Sequence, residues 1–139
     1  MTIKIGIVAA EFYPEITDQM LDIAMHTAKN EGSAVKKVIR VPGSFDVPLA
    51  VKKLLEDDEI AGVITLGAII KGKTDHDQVI GNATAKTLQE LSLQFNKPVV
   101  LGINGPGMTR QDALARIPRA EHVTKALISL IDTLREEGS

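Results

Sequence analysis

Hydrophobic residues follow two different spacings along this chain, and each spacing predicts one kind of secondary structure. Four short runs rich in Val, Ile and Leu are typical of strands buried on both faces of a parallel sheet. These runs cover residues 3–10, 34–41, 60–70 and 98–103. Between them, apolar residues recur every three or four positions, which predicts helices over 16–32, 45–55 and 75–95. The last segment is also helical in pattern, and Pro118 is expected to kink or split it.

Three of these helices carry finer expectations. In the first, Ile16, Met20 and Ile23 share a face, and Thr17 is a candidate N-cap. In the second, Pro48 fits only the first turn, where a missing N–H costs no helical hydrogen bond. In the third, the apolar stripe expected to face the core consists of Ile80, Ala83, Thr87, Leu91 and Phe95.

The alternation of strands and helices indicates the fold class. Four successive strand–helix pairs predict a doubly wound parallel sheet, and right-handed crossovers place the helices on both of its faces. The expected architecture is therefore a three-layer α/β sandwich of the flavodoxin-like type, with four parallel strands. Because no repeat, low-complexity stretch or linker interrupts the pattern, residues 1–139 are expected to form a single domain.

The composition narrows the classes of function. The absence of Cys excludes disulfides, thiolate metal sites, iron–sulfur clusters and a Cys nucleophile. Sixteen Lys and Arg against eighteen Asp and Glu, interspersed along the chain, argue against a nucleic-acid partner. The sequence has no signal-peptide pattern and no apolar run of about 20 residues, so we expect a cytoplasmic protein without a membrane partner.

Ligands of open α/β sheets bind beyond the carboxyl ends of the strands. Four segments are expected there, namely residues 11–15, 42–46, 71–76 and 104–109. In the first, Phe12 either stacks on a flat ligand or packs as a hydrophobic staple on the following helix. The second, with Gly43, Ser44 and Asp46, is either a plain capped turn or a binding segment whose backbone amides meet a polar heterocycle.

The third segment, residues 71–76, combines several features of an anion site. Backbone N–H groups at a helix start attract phosphate, with Thr74 as cap and with charge from Lys71 and Lys73. The spacing is not that of a Walker A loop. His76 stands at the helix N-terminus, which favours a neutral imidazole able to exchange protons near neutral pH; simple solvation is the alternative.

The remaining candidates are less specific. Residues 104–107 are expected to form a loop that approaches a ligand or merely turns the chain. Arg116 and Arg119 flank the proline of the last helical region, and each is either a bidentate phosphate clamp or part of a solvated helix face. His26 and His122 lie within helices without carboxylates at ligand spacing, so no zinc site is expected.

Several segments together resemble one known family. They read IVAAEF up to Phe12, VPGSFDVPLAVKKL from Val41, ITLGAIIKGKTDHDQVI from Ile64 and PVVLGINGPGMT from Pro98, followed by the helix that carries Arg116. In this order they make the chain similar to the 6,7-dimethyl-8-ribityllumazine synthases of riboflavin biosynthesis, and to the archaeal members above all. The resemblance runs from residue 5 to about residue 134.

The resemblance implies a transferase that joins 5-amino-6-(D-ribitylamino)uracil to 3,4-dihydroxy-2-butanone 4-phosphate and releases phosphate, with no metal or organic cofactor. It implies that Phe12 stacks on the pyrimidine and that His76 transfers protons. The residues it assigns to the pyrimidine and ribityl pocket are Ser44, Phe45, Asp46, Ala68, Ile69, Ile70 and Leu101. Those it assigns to the phosphate are Lys73, Thr74 and Arg116.

The resemblance also implies a homopentamer with active sites between subunits, which in some members assembles into a 60-subunit shell. The chain departs from the common bacterial pattern after the histidine, where Asp77 and Gln78 replace an aromatic and an acidic residue, and at Leu101, which is often aromatic. Two alternatives stay open from the sequence: a riboflavin synthase of the archaeal type, and a non-catalytic flavin- or lumazine-binding shell protein on the same scaffold.

Overall fold

The computed structural model describes residues 2–138 and contains one sheet of four parallel strands. The strands are β1 (Lys4–Ala10), β2 (Ala34–Val41), β3 (Gly62–Ile70) and β4 (Val99–Met108). The helices are α1 (Pro14–Asn30), α2 (Val47–Leu55), α3 (His76–Phe95), α4 (Arg110–Ala115) and α5 (Arg119–Gly138), and a 3₁₀ turn over Ser44–Asp46 precedes α2. The strand order β2-β1-β3-β4 confirms the predicted doubly wound, flavodoxin-like α/β class.

Two hydrophobic clusters, one on each face of the sheet, hold the layers together. Along β1, Ile5 and Ile7 enter the cluster formed with α1 and α5, whereas Val8 and Ala10 enter the cluster formed with α2 and α3. This alternation follows from the period of two along a strand. Because both faces of β1 and β3 are buried, these two strands read as continuous apolar runs.

The start of α1 differs from the expectation. The helix begins at Pro14, with Tyr13 in the N-cap position, so Thr17 is not the cap. The hydroxyl of Thr17 instead donates a 2.7 Å hydrogen bond to the carbonyl oxygen of Ala10 and is fully buried. The side chain therefore ties the first turn of α1 to the end of β1, next to the loop that carries Phe12. By contrast, Pro48 lies in the first turn of α2 as expected.

The buried face of α3 overlaps the predicted stripe only in part. Leu91 is buried as predicted, and Ile80 and Phe95 are half-buried against the same core cluster, whereas Thr87 is half-buried and Ala83 is exposed. The fully buried face also includes Asp77, Gly81, Thr84 and Leu88, which were not predicted. The physical reason is close packing against the end of β4, because a Cβ atom at Gly81 would lie 2.6 Å from Cδ of Pro106. Small residues are needed on the inner face there, and a pattern of large apolar residues does not reveal them.

Strand β4 runs to Met108, five residues beyond its predicted end. Residues 104–107, expected as a loop, extend the strand alongside β3 through a register shift between Ala68 and Ile70. Gly105 and Gly107 have φ angles of 112° and 83°, which other residues rarely adopt. At the other end of the chain, Pro118 separates α4 from α5, so the predicted split is confirmed. Within residues 2–138, no helix has both the length and the apolar character to cross a membrane.

Candidate functional site

A pocket of about 400 Å³ lies at the carboxyl ends of the strands. It is built from the loop after β1, the turn after β2, the end of β3, the loop that follows β3 and the first two turns of α3. Thirteen residues line it: Phe12, Tyr13, Gly43, Ser44, Phe45, Ala68, Ile69, Ile70, Gly72, Thr74, His76, Asp77 and Ile80. Three of the four predicted segments thus meet in one cavity, because the carboxyl ends of parallel strands share one edge of the sheet.

Two phenylalanines form an exposed aromatic wall. Phe12 is 70% exposed and Phe45 is 67% exposed, although both line the pocket. Phe12 meets the neighbouring Tyr13 edge-to-face, with ring centroids 4.9 Å apart and planes at 87°. Its ring face is not packed into a core cluster, so it does not act as a hydrophobic staple. An open aromatic face of this kind is suited to stacking on a flat, polar ring.

The turn after β2 is held by reciprocal hydrogen bonds. Oδ2 of Asp46 accepts a 3.0 Å bond from the N–H of Gly43, and the N–H of Asp46 donates to the carbonyl oxygen of Gly43. The buried Ser44 is fixed from the other side, because its carbonyl oxygen accepts from the hydroxyl of Thr84 on α3 at 3.4 Å. Ser44 and Phe45 therefore line the pocket on a rigid turn, while Asp46 caps that turn and does not line the cavity.

The loop between β3 and α3 offers the features of an anion site. Gly72, Thr74 and His76 line the pocket, and His76 is the first residue of α3. Oγ1 of Thr74 accepts a 3.3 Å hydrogen bond from the N–H of His76, so Thr74 contacts the helix start while Asp75 occupies the formal N-cap position. The positive end of a 20-residue helix thus faces the cavity beside an exposed imidazole.

Charged pairs fix the segments that surround the aromatic wall. Arg40 of β2 contacts Asp18 at 2.8 Å and Glu11 at 3.1 Å, and hydrogen bonds to these two carboxylates raise the pKa of the Arg40 guanidinium. Glu15 lies 2.7 Å from Arg110 of α4. A backbone hydrogen bond, followed by the bond to Arg110, lowers the pKa of the Glu15 carboxyl. The exposed loop after β1 is therefore anchored at both of its ends.

Asp77 is a pocket residue that the sequence did not single out for function. It is only 6% exposed, and its Oδ2 accepts a 3.0 Å hydrogen bond from the N–H of Gly107 in β4. No protein group among residues 2–138 donates to its Oδ1. One signal was present in the sequence: Asp77 is in phase with the small and apolar residues at 81, 84, 88 and 91 on the inner face of α3. Tyr13, Gly72 and Ile80 were also not singled out as lining residues, whereas Gly43 belongs to a segment that the sequence named as a candidate for binding.

Four predicted site residues do not line the pocket of their own chain: Asp46, Lys73, Leu101 and Arg116. Lys73 is exposed between two lining residues. Leu101 is 41% exposed and is the third residue of β4, opposite Thr65, so it lies away from the carboxyl end of the strand. Arg116 follows the last residue of α4 and is exposed. Arg119, the other candidate clamp, donates a 3.2 Å hydrogen bond to the carbonyl oxygen of Leu101.

The pocket thus combines an aromatic wall, an apolar floor formed by Ala68, Ile69 and Ile70, the N-terminus of α3, and the side chains of His76 and Asp77. None of the thirteen described lining residues is Lys or Arg. Nor do residues 2–138 contain a group of three His, Asp or Glu side chains arranged to hold a metal ion. Chemically, the arrangement can stack a flat ring, receive an anion at the start of α3 and move protons at His76.

Comparison with known proteins gives one consistent family. The family model described as 6,7-dimethyl-8-ribityllumazine synthase matches residues 2–135. The chain is 50% identical over 134 residues to the protein of that name from Methanopyrus kandleri, covering 96% of this chain and 95% of the relative. It is 52% identical over 138 residues to the one from Metallosphaera sedula, covering 99% and 90%. With the one from Methanosarcina barkeri, the identity is 48% over 134 residues, covering 96% and 100%.

Proposed function

The chain belongs to the 6,7-dimethyl-8-ribityllumazine synthase family and has lumazine synthase activity in riboflavin biosynthesis, and we propose that the pocket at its sheet edge is where this transferase works. We propose the substrates 5-amino-6-(D-ribitylamino)uracil and 3,4-dihydroxy-2-butanone 4-phosphate. The observation that carries the assignment is the meeting of Phe12, the Thr74 loop and His76 in one cavity of about 400 Å³. An aromatic wall suits the pyrimidine, and a helix N-terminus suits the phosphate.

The pyrimidine stacks on Phe12 in this assignment. Its polar edge and ribityl chain meet the rigid turn after β2, which provides Ser44, Phe45 and Asp46. The pyrimidine ring lies over the apolar floor of the pocket, which is formed by Ala68, Ile69 and Ile70 at the end of β3. The capping bond from Gly43 leaves Oδ1 of Asp46 as the oxygen for a ribityl hydroxyl.

The phosphate of the second substrate binds at the start of α3. Thr74 and the backbone of the loop supply hydrogen-bond donors, and Lys73 supplies charge from the exposed side of the loop. Because none of the described lining residues is Lys or Arg, a phosphate dianion needs a further cation. We assign that role to Arg116 of a neighbouring subunit.

His76 acts as the proton-transfer residue. Attack of the 5-amino group on the ketone forms an imine and releases water, and elimination then releases phosphate. Attack of the ribitylamino nitrogen on the remaining carbonyl closes the ring and releases a second water. Each of these steps moves a proton to or from nitrogen, oxygen or carbon, and an imidazole beside both substrates can accept and return it. The pocket also holds the two substrates together, which by itself accelerates a bimolecular reaction.

The active site is shared between subunits of a homopentamer in this proposal. Leu101 and Arg116 lie outside the pocket of their own chain, on exposed surfaces of β4 and α4. The rings of Phe12 and Phe45 are largely uncovered, so a neighbouring surface can close the cavity over a stacked pyrimidine. We further propose a cytoplasmic location, with assembly either as a free pentamer or as a 60-subunit shell, which sedimentation distinguishes.

The catalytic assignment is tested by mixing the two substrates with the purified protein and following lumazine fluorescence. Product formation by the wild type, with proportional release of phosphate, is the expected result. Binding of a lumazine without its formation from the two substrates would contradict the assignment. The same assay, started instead from the lumazine alone, measures any conversion to riboflavin.

Sharing of the site is tested by mixing two impaired variants, His76→Ala and Arg116→Ala. If a site takes His76 from one subunit and Arg116 from its neighbour, random co-assembly restores both wild-type residues in about a quarter of the sites. Activity should then exceed the mean of the two separate variants. If one chain supplies both residues, co-assembly gives only that mean, and the shared site is wrong. A mixture combined without exchange of subunits is the control.

A further inference from the structure

Asp77 has one carboxylate oxygen that accepts a hydrogen bond from the chain and one that does not, as expected of a residue whose second partner is a ligand. It carries the only carboxylate among the described lining residues of the pocket, and it lies immediately after His76 in the first turn of α3. Its Oδ2 is engaged by the N–H of Gly107, while its Oδ1 has no donor among residues 2–138 and is closed off from solvent. Buried polar oxygens in proteins nearly always have a partner.

The bond to Gly107 does not by itself account for a carboxylate at this position. A neutral amide oxygen would accept the same backbone N–H without bringing a charge into a pocket lined mostly by apolar groups. The dipole of α3 stabilises the negative charge but supplies no donor to Oδ1. A half-bonded carboxylate beside a catalytic imidazole therefore indicates a role towards the substrate.

We propose that side chains at the start of α3 move aside on binding, so that Oδ1 of Asp77, closed off in the free chain, accepts a hydrogen bond from the 5-amino group of the pyrimidine substrate. This makes Asp77 a further substrate-binding residue for this reaction. The inference rests on the proposed function. A carboxylate repels the phosphate-bearing substrate, so its donor comes from the pyrimidine.

The position of the donor follows from the rest of the site. With the phosphate at the Thr74 loop, the ketone lies within a few bonds of the first turn of α3, beside His76. The amine that attacks this ketone must come to the same turn, where Asp77 stands. Positive charge develops on the nitrogen during the attack, so its hydrogen bond to a carboxylate strengthens in the transition state.

The test is Asp77→Asn, which keeps the shape and leaves an amide oxygen for Gly107 while placing an NH₂ donor where Oδ1 was. The value of kcat/KM for the pyrimidine should fall about 10- to 100-fold, which is the range for a lost hydrogen bond to a charged group. The KM of the phosphate-bearing substrate should stay within about twofold. Asp132→Asn is the matched control, because it removes the same charge from an exposed side chain on α5 that does not line the pocket.

Two results would overturn the proposal. One is an Asp77→Asn protein with the wild-type kcat/KM for the pyrimidine. The other is an equal loss for both substrates together with a lower thermal midpoint, which would mark a purely structural bond to β4.

Calorimetry of the pyrimidine alone keeps this test independent of the proposed reaction. The wild type should bind the pyrimidine about tenfold more tightly than the asparagine variant does. If that variant does not fold, the wild type is titrated with an analogue that carries hydrogen in place of the 5-amino group. Equal affinity for the pyrimidine and this analogue overturns the contact, and a loss of about tenfold supports it. Failure of the wild type to form lumazine would count against the proposed substrates instead.

Discussion

Gly81→Ala is predicted to destabilise the protein and to impair the site through one steric contact. An added Cβ at position 81 would lie 2.6 Å from Cδ and 2.8 Å from Cγ of Pro106, about 0.8 Å short of ordinary contact at the nearer atom. The proline ring cannot retreat, because the adjacent Gly105 is itself packed against the backbone of Ile69 in β3. The start of α3 must therefore move away from β4.

Three contributions determine how much Gly81→Ala changes the free energy of unfolding. Overpacking of a rigid contact costs about 1–3 kcal/mol. A shift of α3 by most of an ångström also stretches the 3.0 Å bond between Asp77 and Gly107, and a hydrogen bond to a charged group is worth about 1.5–3 kcal/mol. Alanine regains about 1 kcal/mol of helix propensity relative to glycine. We expect Gly81→Ala to lower the free energy of unfolding by about 1.5–5 kcal/mol in net.

The assay is denaturant unfolding at a fixed protomer concentration, since association contributes to apparent stability. Asn82→Ala is the matched control, because residue 82 is the next position on α3 and is exposed. It should change stability by less than about 0.5 kcal/mol. Because His76 moves with the helix start, kcat of Gly81→Ala should also fall. A Gly81→Ala protein as stable as the control would refute the packing argument.

Further variants test other contacts. Thr17→Val should lower the free energy of unfolding by about 0.5–1.5 kcal/mol, since it removes the hydrogen bond to the carbonyl oxygen of Ala10. Thr17→Ser, which keeps the hydroxyl, should lose less in the same unfolding assay. The hydrogen bond from Lys36 lowers the pKa of Asp57 below its ordinary value of 3.8, so ionised Asp57 stabilises the fold above that value and the benefit is lost as pH falls through the lowered pKa. The difference in thermal midpoint between wild type and Asp57→Asn should therefore shrink on acidification; a difference independent of pH would contradict this. His76→Ala should reduce kcat by about 10²- to 10⁴-fold and leave residual turnover, and unchanged kcat would remove His76 from proton transfer. Arg116→Ala should raise the KM of the phosphate-bearing substrate about tenfold or more in steady-state assays, whereas an unchanged KM would remove Arg116 from the site.

Local sequence signals were sufficient where local forces decide the structure. Strand β2 has the predicted bounds, 34–41, because glycine and proline close a β-branched run at its two ends. The split at Pro118 was predictable because proline cannot donate to a helix. Local signals were insufficient at 104–107, where Gly and Pro are typical of a loop. Pairing with β3 overrides this preference and extends β4 to Met108.

The candidate site likewise has features that the sequence determined and features that only the tertiary structure decided. The sequence alone determined which segments would meet, because the order of strands and helices places residues 11–15, 42–46 and 71–76 at one edge of a parallel sheet. It also determined that Phe12 and His76 would be among them. Only the tertiary structure decided that the start of α3 turns Asp77 inward and leaves one carboxylate oxygen without a donor among residues 2–138. That outcome depends on the close approach of β4 to Gly81, a contact between residues 25 positions apart that no local pattern encodes.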